Sequence, residues 1–214
     1  MKFRPVFTLL VCVACMMTVS AQNTIESIRK EYKDVHEWID HMMPDSTGFS
    51  EMPPEYYDLH VVQNLPATGG HHEYIRMFFH DVELADDPIY PPHYLRFLTA
   101  KYNFAAAEFY EEYLYDDKGQ VMFIYVISPY AVEDEYIPYE LRMYFDGTKL
   151  LHFSAKKAVG VERFGYETLR GITFREVYSG KTIPEKYKSE AERCKTRADR
   201  FLTMFKGIDD NTYL

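Results

Sequence analysis

The stretch YEEYLYDDKGQVMFIYVI, residues 110–127, decides the fold of this chain. Its two halves, 110–115 and 121–127, are rich in aromatic and β-branched residues, which favour strands. Between them lies Asp116-Asp117-Lys118-Gly119, in which the glycine supplies the positive φ that a tight hairpin requires. This connection is too short for a helical crossover, so the two strands are predicted to pair antiparallel.

Outward from this hairpin, further segments have the same strand composition. They are Tyr56–Asn64, His72–Leu84, Pro138–Phe145, Lys149–Ala155 and, at an edge of the sheet, Gly171–Tyr178. Asp146-Gly147 marks a second tight hairpin, and Pro66–Gly70 is predicted to be a loop between two strands. Residues 93–109 fit both helical and strand spacing, and we predict a strand because the neighbouring segments need pairing partners.

Helices are predicted on either side of these strands. Residues 23–43 carry one apolar stripe, with Asn23 and Glu26 as a capping box. A second helix has Thr182 and Glu185 as its capping box and ends at Gly207. The first stripe consists of Ile25, Ile28, Tyr32, Val35, Ile39 and Met42, and the second of Tyr187, Ala191, Cys194, Ala198, Phe201 and Phe205.

These elements predict an α+β fold in a single domain, residues 22–214. The order is an N-terminal helix, a curved antiparallel meander of about six to eight strands, and a C-terminal helix packed on one sheet face. We expect both helices to share that face. The aromatic side chains of the other face are then either covered by the segment 156–181 or partly exposed to a ligand.

Residues 1–21 have the pattern of a secretory signal peptide. Lys2 and Arg4 precede an apolar run that ends at the small residues Ser20 and Ala21. The run is too short to span a bilayer stably, so we expect cleavage after Ala21 and no transmembrane segment afterwards. The sequence therefore predicts an exported protein that is periplasmic, in the cell envelope or secreted.

The composition argues against several classes of partner and cofactor. A formal net charge of −9 repels phosphate backbones, so we expect no nucleic acid partner. Cys12 and Cys15 fall in the expected leader, which leaves Cys194 without a partner for an internal disulfide. The sequence has no phosphate-binding glycine loop, EF-hand loop or His-x-x-x-His pattern, so we predict neither a cofactor nor a metal. The oligomeric state is left open.

Histidines are the best enzymatic lead in the chain. Five occur close together in the sequence: His60, His71, His72, His80 and His93. In the predicted strand pairing Asn64 opposes His72 and His60 opposes Arg76, which puts His60 roughly 13 Å from both His72 and His80. Metal ligands must lie about 2 Å from one ion, so we interpret these residues as solvated or hydrogen-bonded strand histidines.

Strand parity places a set of polar and aromatic side chains on the outer face of the sheet. The predicted binding residues are His60, His72, Tyr74, Arg76, His80 and Tyr113. We expect this surface to bind a glycan, a peptide or a protein partner, and we assign no catalytic residue.

Two other functions stay open. A hydrolase would use His60, His72 or His80 with Asp58 or a nearby Glu, and a structural envelope protein would have no small-molecule site. A deep pocket joining two of the histidines would favour the enzyme. A shallow, Tyr-lined concavity would favour binding, and a sheet covered on both faces would favour the structural protein.

Several segments together resemble a group of known proteins. They are the export signal, the first helix, the stretch from Tyr110-Glu111-Glu112-Tyr113 to Val121-Met122-Phe123-Ile124-Tyr125, and Tyr144-Phe145-Asp146-Gly147-Thr148-Lys149-Leu150. In this combination the chain resembles small exported proteins of Gram-negative gut bacteria, which have no assigned activity. The resemblance implies a periplasmic or envelope location. Because its motifs are structural, it implies no catalytic or binding residue.

Expression in a Gram-negative host tests the leader. We expect the exported form to begin at Gln22, because signal peptidase cleaves after small residues. Mass spectrometry of the periplasmic fraction measures this N-terminus. A Leu10→Arg variant, which interrupts the apolar run, is expected to stay unprocessed in the cytoplasm. A wild-type chain that also stays there would contradict the assignment.

Overall fold

Two helices and eight strands follow one another along the chain. The computed structural model describes residues 23–45, 47–53, 55–82, 91–105, 107–129, 137–160 and 172–212. The elements are α1 (Ile25–Met42), β1 (Tyr56–Leu65), β2 (Gly69–Asp81), β3 (His93–Phe104), β4 (Ala107–Tyr115), β5 (Val121–Ser128), β6 (Tyr139–Asp146), β7 (Lys149–Ala158), β8 (Phe174–Gly180) and α2 (Glu185–Thr212). Each strand pairs antiparallel with its sequence neighbours. The predicted α+β fold with a meandering antiparallel sheet is confirmed, whereas the expected leader lies outside the described residues.

The tight turns of the sheet form where the sequence predicts them. Between β4 and β5, the backbone N–H of Asp116 donates to the carbonyl of Gln120 at 2.9 Å, and Gly119 has a φ of 77°. Between β6 and β7, Gly147 has a φ of 57°. Glycine adopts these positive φ values without steric cost, so both hairpins follow directly from local sequence. Residues 93–109, which fit both helical and strand spacing, form strand as predicted, but they divide between β3, which ends at Phe104, and β4, which begins at Ala107.

α1 has a different cap from the predicted one. Its N-cap is Thr24, whose hydroxyl accepts a hydrogen bond from the backbone N–H of Ser27 at 3.1 Å. The hydroxyl of Ser27 accepts in return from the backbone N–H of Thr24 at 2.9 Å. The predicted pair of Asn23 and Glu26 is therefore wrong by one residue. Asn23 instead donates its backbone N–H to Asp146 at 3.2 Å, which ties the start of α1 to the end of β6.

α2 continues beyond Gly207, where we predicted its end. The side chain of Asn211 donates to the carbonyl of Gly207 at 2.7 Å, and the hydroxyl of Thr212 donates to the carbonyl of Ile208 at 2.7 Å. These polar side chains bond back to carbonyl groups one turn earlier, and the helix runs through the glycine without ending there.

The two helices pack on opposite faces of the sheet, which corrects the expectation that they share one face. The buried stripe of α1 contacts Phe78, Phe97, Leu114, Phe123 and Tyr144. The buried stripe of α2, as predicted, packs against residues of the other face that include Ile75, Met77, Tyr113, Ile124, Met143 and Phe153. The central strands carry large apolar side chains on both sides, so each face needs its own cover. No helix among the described residues is long and apolar enough to cross a membrane.

A buried carboxylate joins α2 to the sheet. Glu111 of β4 is fully buried and accepts hydrogen bonds from Arg193 at 2.7 Å, Arg197 at 2.8 Å and the hydroxyl of Tyr113 at 2.6 Å. Arg197 also donates to Glu73 at 2.6 Å. Burial by itself would raise the pKa of the Glu111 carboxyl, but Arg197 and Arg193 outweigh it and hold that pKa below its ordinary value. This network fixes where α2 lies on the sheet.

Replacing Glu111 by Gln is expected to destabilise the fold by about 3 kcal/mol, because it leaves two partly buried guanidinium groups without their shared partner. The difference from wild type also depends on pH. The folded-state pKa of Glu111 is depressed, so its contribution is fully present above the unfolded value of about 4.3 and is lost as the pH falls through the folded pKa.

Urea unfolding at neutral and acidic pH measures both effects. The matched control is Glu192→Gln, since Glu192 is an exposed residue of α2. We expect its stability to stay close to that of wild type. Wild type and E111Q with equal stability at neutral pH would contradict this account of Glu111.

Candidate ligand-binding site

The pairing of β1 with β2 differs from the predicted register by two residues. His60 lies opposite Tyr74 and not opposite Arg76. The predicted pairing is wrong because the turn is shorter than expected, with Leu65 paired to Gly69. A shift of two residues keeps every side chain on its predicted face but changes its neighbours across the strands.

The corrected register brings His60 and His72 into contact. Nε2 of His60 lies 3.0 Å from Nδ1 of His72, whereas the predicted register separates the two residues by roughly 13 Å. The ring of His60 stacks on Tyr74, with centroids 4.2 Å apart and planes at 11°. We call these three rings the His60 platform. Within the described ranges, no group of three or more His, Cys, Asp or Glu side chains is placed to hold a metal ion.

The six predicted binding residues do not form one site. Arg76 lies beside the His60 platform, but His80 packs on Trp38 further along α1, with ring centroids 4.2 Å apart. Burial lowers the pKa of the His80 imidazole.

Tyr113 lies fully buried on the α2 face, so its assignment to the outer surface is wrong. The strand registers align Tyr74 with Tyr110, so these two side chains share a face. Tyr113 lies an odd number of residues after Tyr110 on the same strand and therefore points to the opposite face.

Strand pairing aligns the side chains of the α1 face in three rows, because directly opposed residues point the same way. The apolar row is Tyr56, Phe78, Phe97, Leu114, Phe123, Tyr144 and His152. The polar row is Asp58, Arg76, Thr99, Glu112, Tyr125, Arg142 and Ser154. The mixed row is His60, Tyr74, Lys101, Tyr110, Ile127, Glu140 and Lys156. α1 packs on the apolar row and leaves the other two rows beside it.

Two cavities lie over the polar and mixed rows, along one side of α1. The first, which we call the tyrosine pocket, has a volume of about 390 Å³ and is lined by Arg29, Tyr32, Tyr110, Glu112, Phe123, Tyr125, Ile127, Arg142 and Tyr144. The second, which we call the platform groove, has a volume of about 700 Å³. His36, Asp58, His60, Tyr74, Arg76, Thr99 and Lys101 are among its lining residues. Tyr110 lines both cavities, so they adjoin.

Glu112 is the buried charge of the tyrosine pocket, with 5% of its surface exposed. The hydroxyl of Tyr32 donates to one carboxylate oxygen at 2.5 Å and that of Tyr110 to the other at 2.7 Å. In the part of the chain that the structure describes, no lysine or arginine forms an ion pair with Glu112. The imidazole of His36 lies beside it, with Nε2 3.9 Å from a Glu112 carboxylate oxygen and without a hydrogen-bond partner among the described residues. A carboxylate accepts up to about four hydrogen bonds, so Glu112 retains acceptor capacity.

The tyrosines around this carboxylate stay protonated. Burial and, next, the charge of Glu112 raise the pKa of Tyr32 and Tyr110 well above the ordinary tyrosine value. Burial and the charge of Glu140 do the same for the pKa of Tyr125. The pocket therefore presents neutral phenol rings around Glu112.

The tyrosine pocket carries charges of both signs. Glu140 lies 2.8 Å from Arg142 and 2.9 Å from Lys156, so it offsets one of these two positive charges. Arg29 lies over the ring of Tyr144, 5.6 Å from its centroid. The buried Glu112 carboxylate therefore shares the pocket with arginine side chains to which it is not paired.

Comparisons with known proteins identify no family for this chain. No protein-family model matches it, no curated protein matches it, and no solved structure matches it. The site is therefore interpreted from its own geometry.

The sequence analysis did not assign Glu112, Tyr32 or Arg29 to a site. One signal for Glu112 lies in the pair Glu111-Glu112 within an aromatic strand segment. Consecutive strand residues point to opposite faces, so two such charges in a strand that is buried on both sides each need a buried partner. The partners on α1 and α2 are distant in sequence and carry no local pattern.

Removing the Tyr32 hydroxyl tests its bond to Glu112. Tyr32→Phe is expected to destabilise the fold by about 2 kcal/mol, because hydrogen bonds to charged groups contribute about 1.5–3 kcal/mol. The matched control is Tyr74→Phe on a half-exposed side chain, for which we expect a change of less than about 0.5 kcal/mol. Urea unfolding at neutral pH measures both. Equal effects of the two variants would show that the bond to Glu112 contributes nothing.

Proposed function

We propose that this chain is an exported binding protein that holds a small neutral sugar in the tyrosine pocket. The observation that carries the proposal is the buried Glu112 carboxylate, which lies among aromatic rings and has tyrosine hydroxyls in place of a cation as partners. The predicted signal peptide supports export, with a periplasmic or envelope location.

Two adjacent buried carboxylates differ in their charged partners. Glu111 has two arginines as partners, as a structural charge requires, whereas Glu112 has none among the described residues. Burying a charge without an opposite charge opposes folding by several kcal/mol. A buried carboxylate that bears this penalty and lines a cavity is a candidate for a functional role.

The chemistry of the lining also supports the proposal. A sugar has C–H-rich ring faces that pack on aromatic side chains, and hydroxyls that both donate and accept hydrogen bonds. The tyrosine pocket offers phenol rings as walls, Glu112 as an acceptor, and Arg29 and Arg142 as donors. Because the lining carries charges of both signs, an organic cation meets the arginines and an organic anion meets the Glu112 carboxylate, which favours a neutral ligand. Its volume is within the range of about 300–1,000 Å³ that is typical of small-molecule sites.

Binding is favoured over the two alternatives by specific contacts. The hydrolase hypothesis pairs a histidine with Asp58 or a nearby Glu, but Asp58 accepts from Arg76 at 3.0 Å and His60 bonds to His72. A purely structural protein would have both faces closed. Although α1 and α2 cover opposite faces, α1 packs on the apolar row and leaves the polar row lining two cavities.

A panel of neutral mono- and disaccharides tests the proposal on the protein purified after export. Saturation-transfer NMR identifies any sugar that binds, and calorimetry measures its affinity. Glu112→Gln keeps the size of the side chain but removes the charged acceptor. We expect it to weaken binding at least about tenfold, which corresponds to about 1.4 kcal/mol, the low end of a charge-assisted hydrogen bond.

The matched control is Glu37→Gln, an exposed residue of α1, which is expected to bind like wild type. Thermal melts of both variants report on folding. A panel in which no sugar binds would overturn the proposal, as would an E112Q protein that is folded and binds with unchanged affinity.

A further inference from the structure

We propose that the platform groove is a second part of the same binding site, so that the ligand is a neutral oligosaccharide and not a single sugar. The chain would run across the strands from the tyrosine pocket to the His60 platform. This inference rests on the proposed function, because it extends the site that contains Glu112.

The strand register sets the direction and the span. Tyr74, Lys101 and Tyr110 stand opposite one another in the mixed row, on β2, β3 and β4. With about 4.8 Å between neighbouring strands, Tyr74 and Tyr110 are about 10 Å apart. A single sugar ring that lies flat on the sheet face covers part of this span, whereas a chain of several sugar units covers all of it. Tyr110 lines both cavities and would lie under the middle of such a chain.

The His60 platform is ordered in advance of binding. Tyr74 is 48% exposed, yet its ring is held parallel to His60, which is held in turn by the hydrogen bond to His72. An exposed aromatic ring that is already fixed loses little conformational freedom when a ligand packs on it. It therefore provides a stacking surface at the far end of the groove.

The charges of the platform groove are paired. Arg76 donates to Asp58 at 3.0 Å, and Lys101 lies 3.4 Å from Glu108. Each cation has an acidic neighbour, so the groove offers hydrogen-bonding groups without a net charge. This pattern fits a neutral chain of hydroxyl groups and opposes an acidic polysaccharide.

A peptide fits the same surface less well. Extended peptides usually bind by adding a strand to a sheet edge. The groove runs from the edge strand β1 over β2, β3 and β4, and its lining side chains stand on the face of the sheet, so a strand added at the edge would not occupy it. Proline-rich peptides bind aromatic grooves without an edge, but they carry few donors for the Glu112 carboxylate. The oligosaccharide is therefore the favoured occupant.

A length series tests the inference on the protein purified after export. The probes are neutral oligosaccharides of one to six units, built from the sugar that the panel identifies. For wild type we expect the affinity to rise at least tenfold from one unit to four. For Tyr74→Ala we expect the monosaccharide to bind as in wild type and the gain with length to be lost.

The matched control is Phe104→Ala, which removes an exposed aromatic ring outside both cavities and is expected to keep the full gain with length. If monosaccharides bind through Glu112 but longer chains bind no better, this inference is wrong while the proposed function stands. If no sugar of any length binds, both are wrong. A proline-rich peptide that binds in the groove more tightly than the longest oligosaccharide would also overturn the inference.

Discussion

The structure depends on one buried contact, the Glu111 carboxylate held by Arg193 and Arg197. A carboxylate without exposure to water must have a matching charge, and α2 supplies two. The contact therefore fixes which helix covers which face of the sheet. Because strand side chains alternate, it also decides that the next residue, Glu112, points toward α1.

The same alternation explains why, among the residues that the structure describes, the candidate site lies on the α1 face. On the α2 face, the predicted stripe of α2 packs on a continuous apolar core, and Glu111 is neutralised. On the other face, α1 packs on the apolar row and is anchored by Glu31, which accepts from Arg96 at 2.5 Å. The polar and mixed rows beside it remain as the lining of two adjoining cavities. Glu112 lies where these rows meet the helix, which makes it the group most suited to a polar ligand.

Local sequence predicted the elements and the order of the sheet, because hairpins and amphipathic stripes are local signals. Gly119 and Gly147 mark the turns, and the stripe from Tyr187 to Phe205 is buried as predicted. Contacts between distant segments were not predictable in this way. The register of β1 and β2 depends on a turn that is shorter than its composition suggested, and this changed the neighbours of His60. The placement of α1 depends on packing against residues such as Phe97 and Phe123, which no spacing rule connects to the helix.

The central claim is that adjacent carboxylates of one strand have different roles, one in structure and one in binding. Carbon-13 NMR of the carboxyl groups of Glu111 and Glu112 tests it most directly, in one sample titrated first with acid and then, at neutral pH, with a bound disaccharide. The account predicts that Glu111 stays ionised below the ordinary glutamate range of about 4.3 and does not respond to the sugar, whereas the Glu112 resonance moves as the sugar binds. A Glu111 that titrates in the ordinary range, or a Glu112 resonance that the bound sugar leaves unmoved, would contradict it.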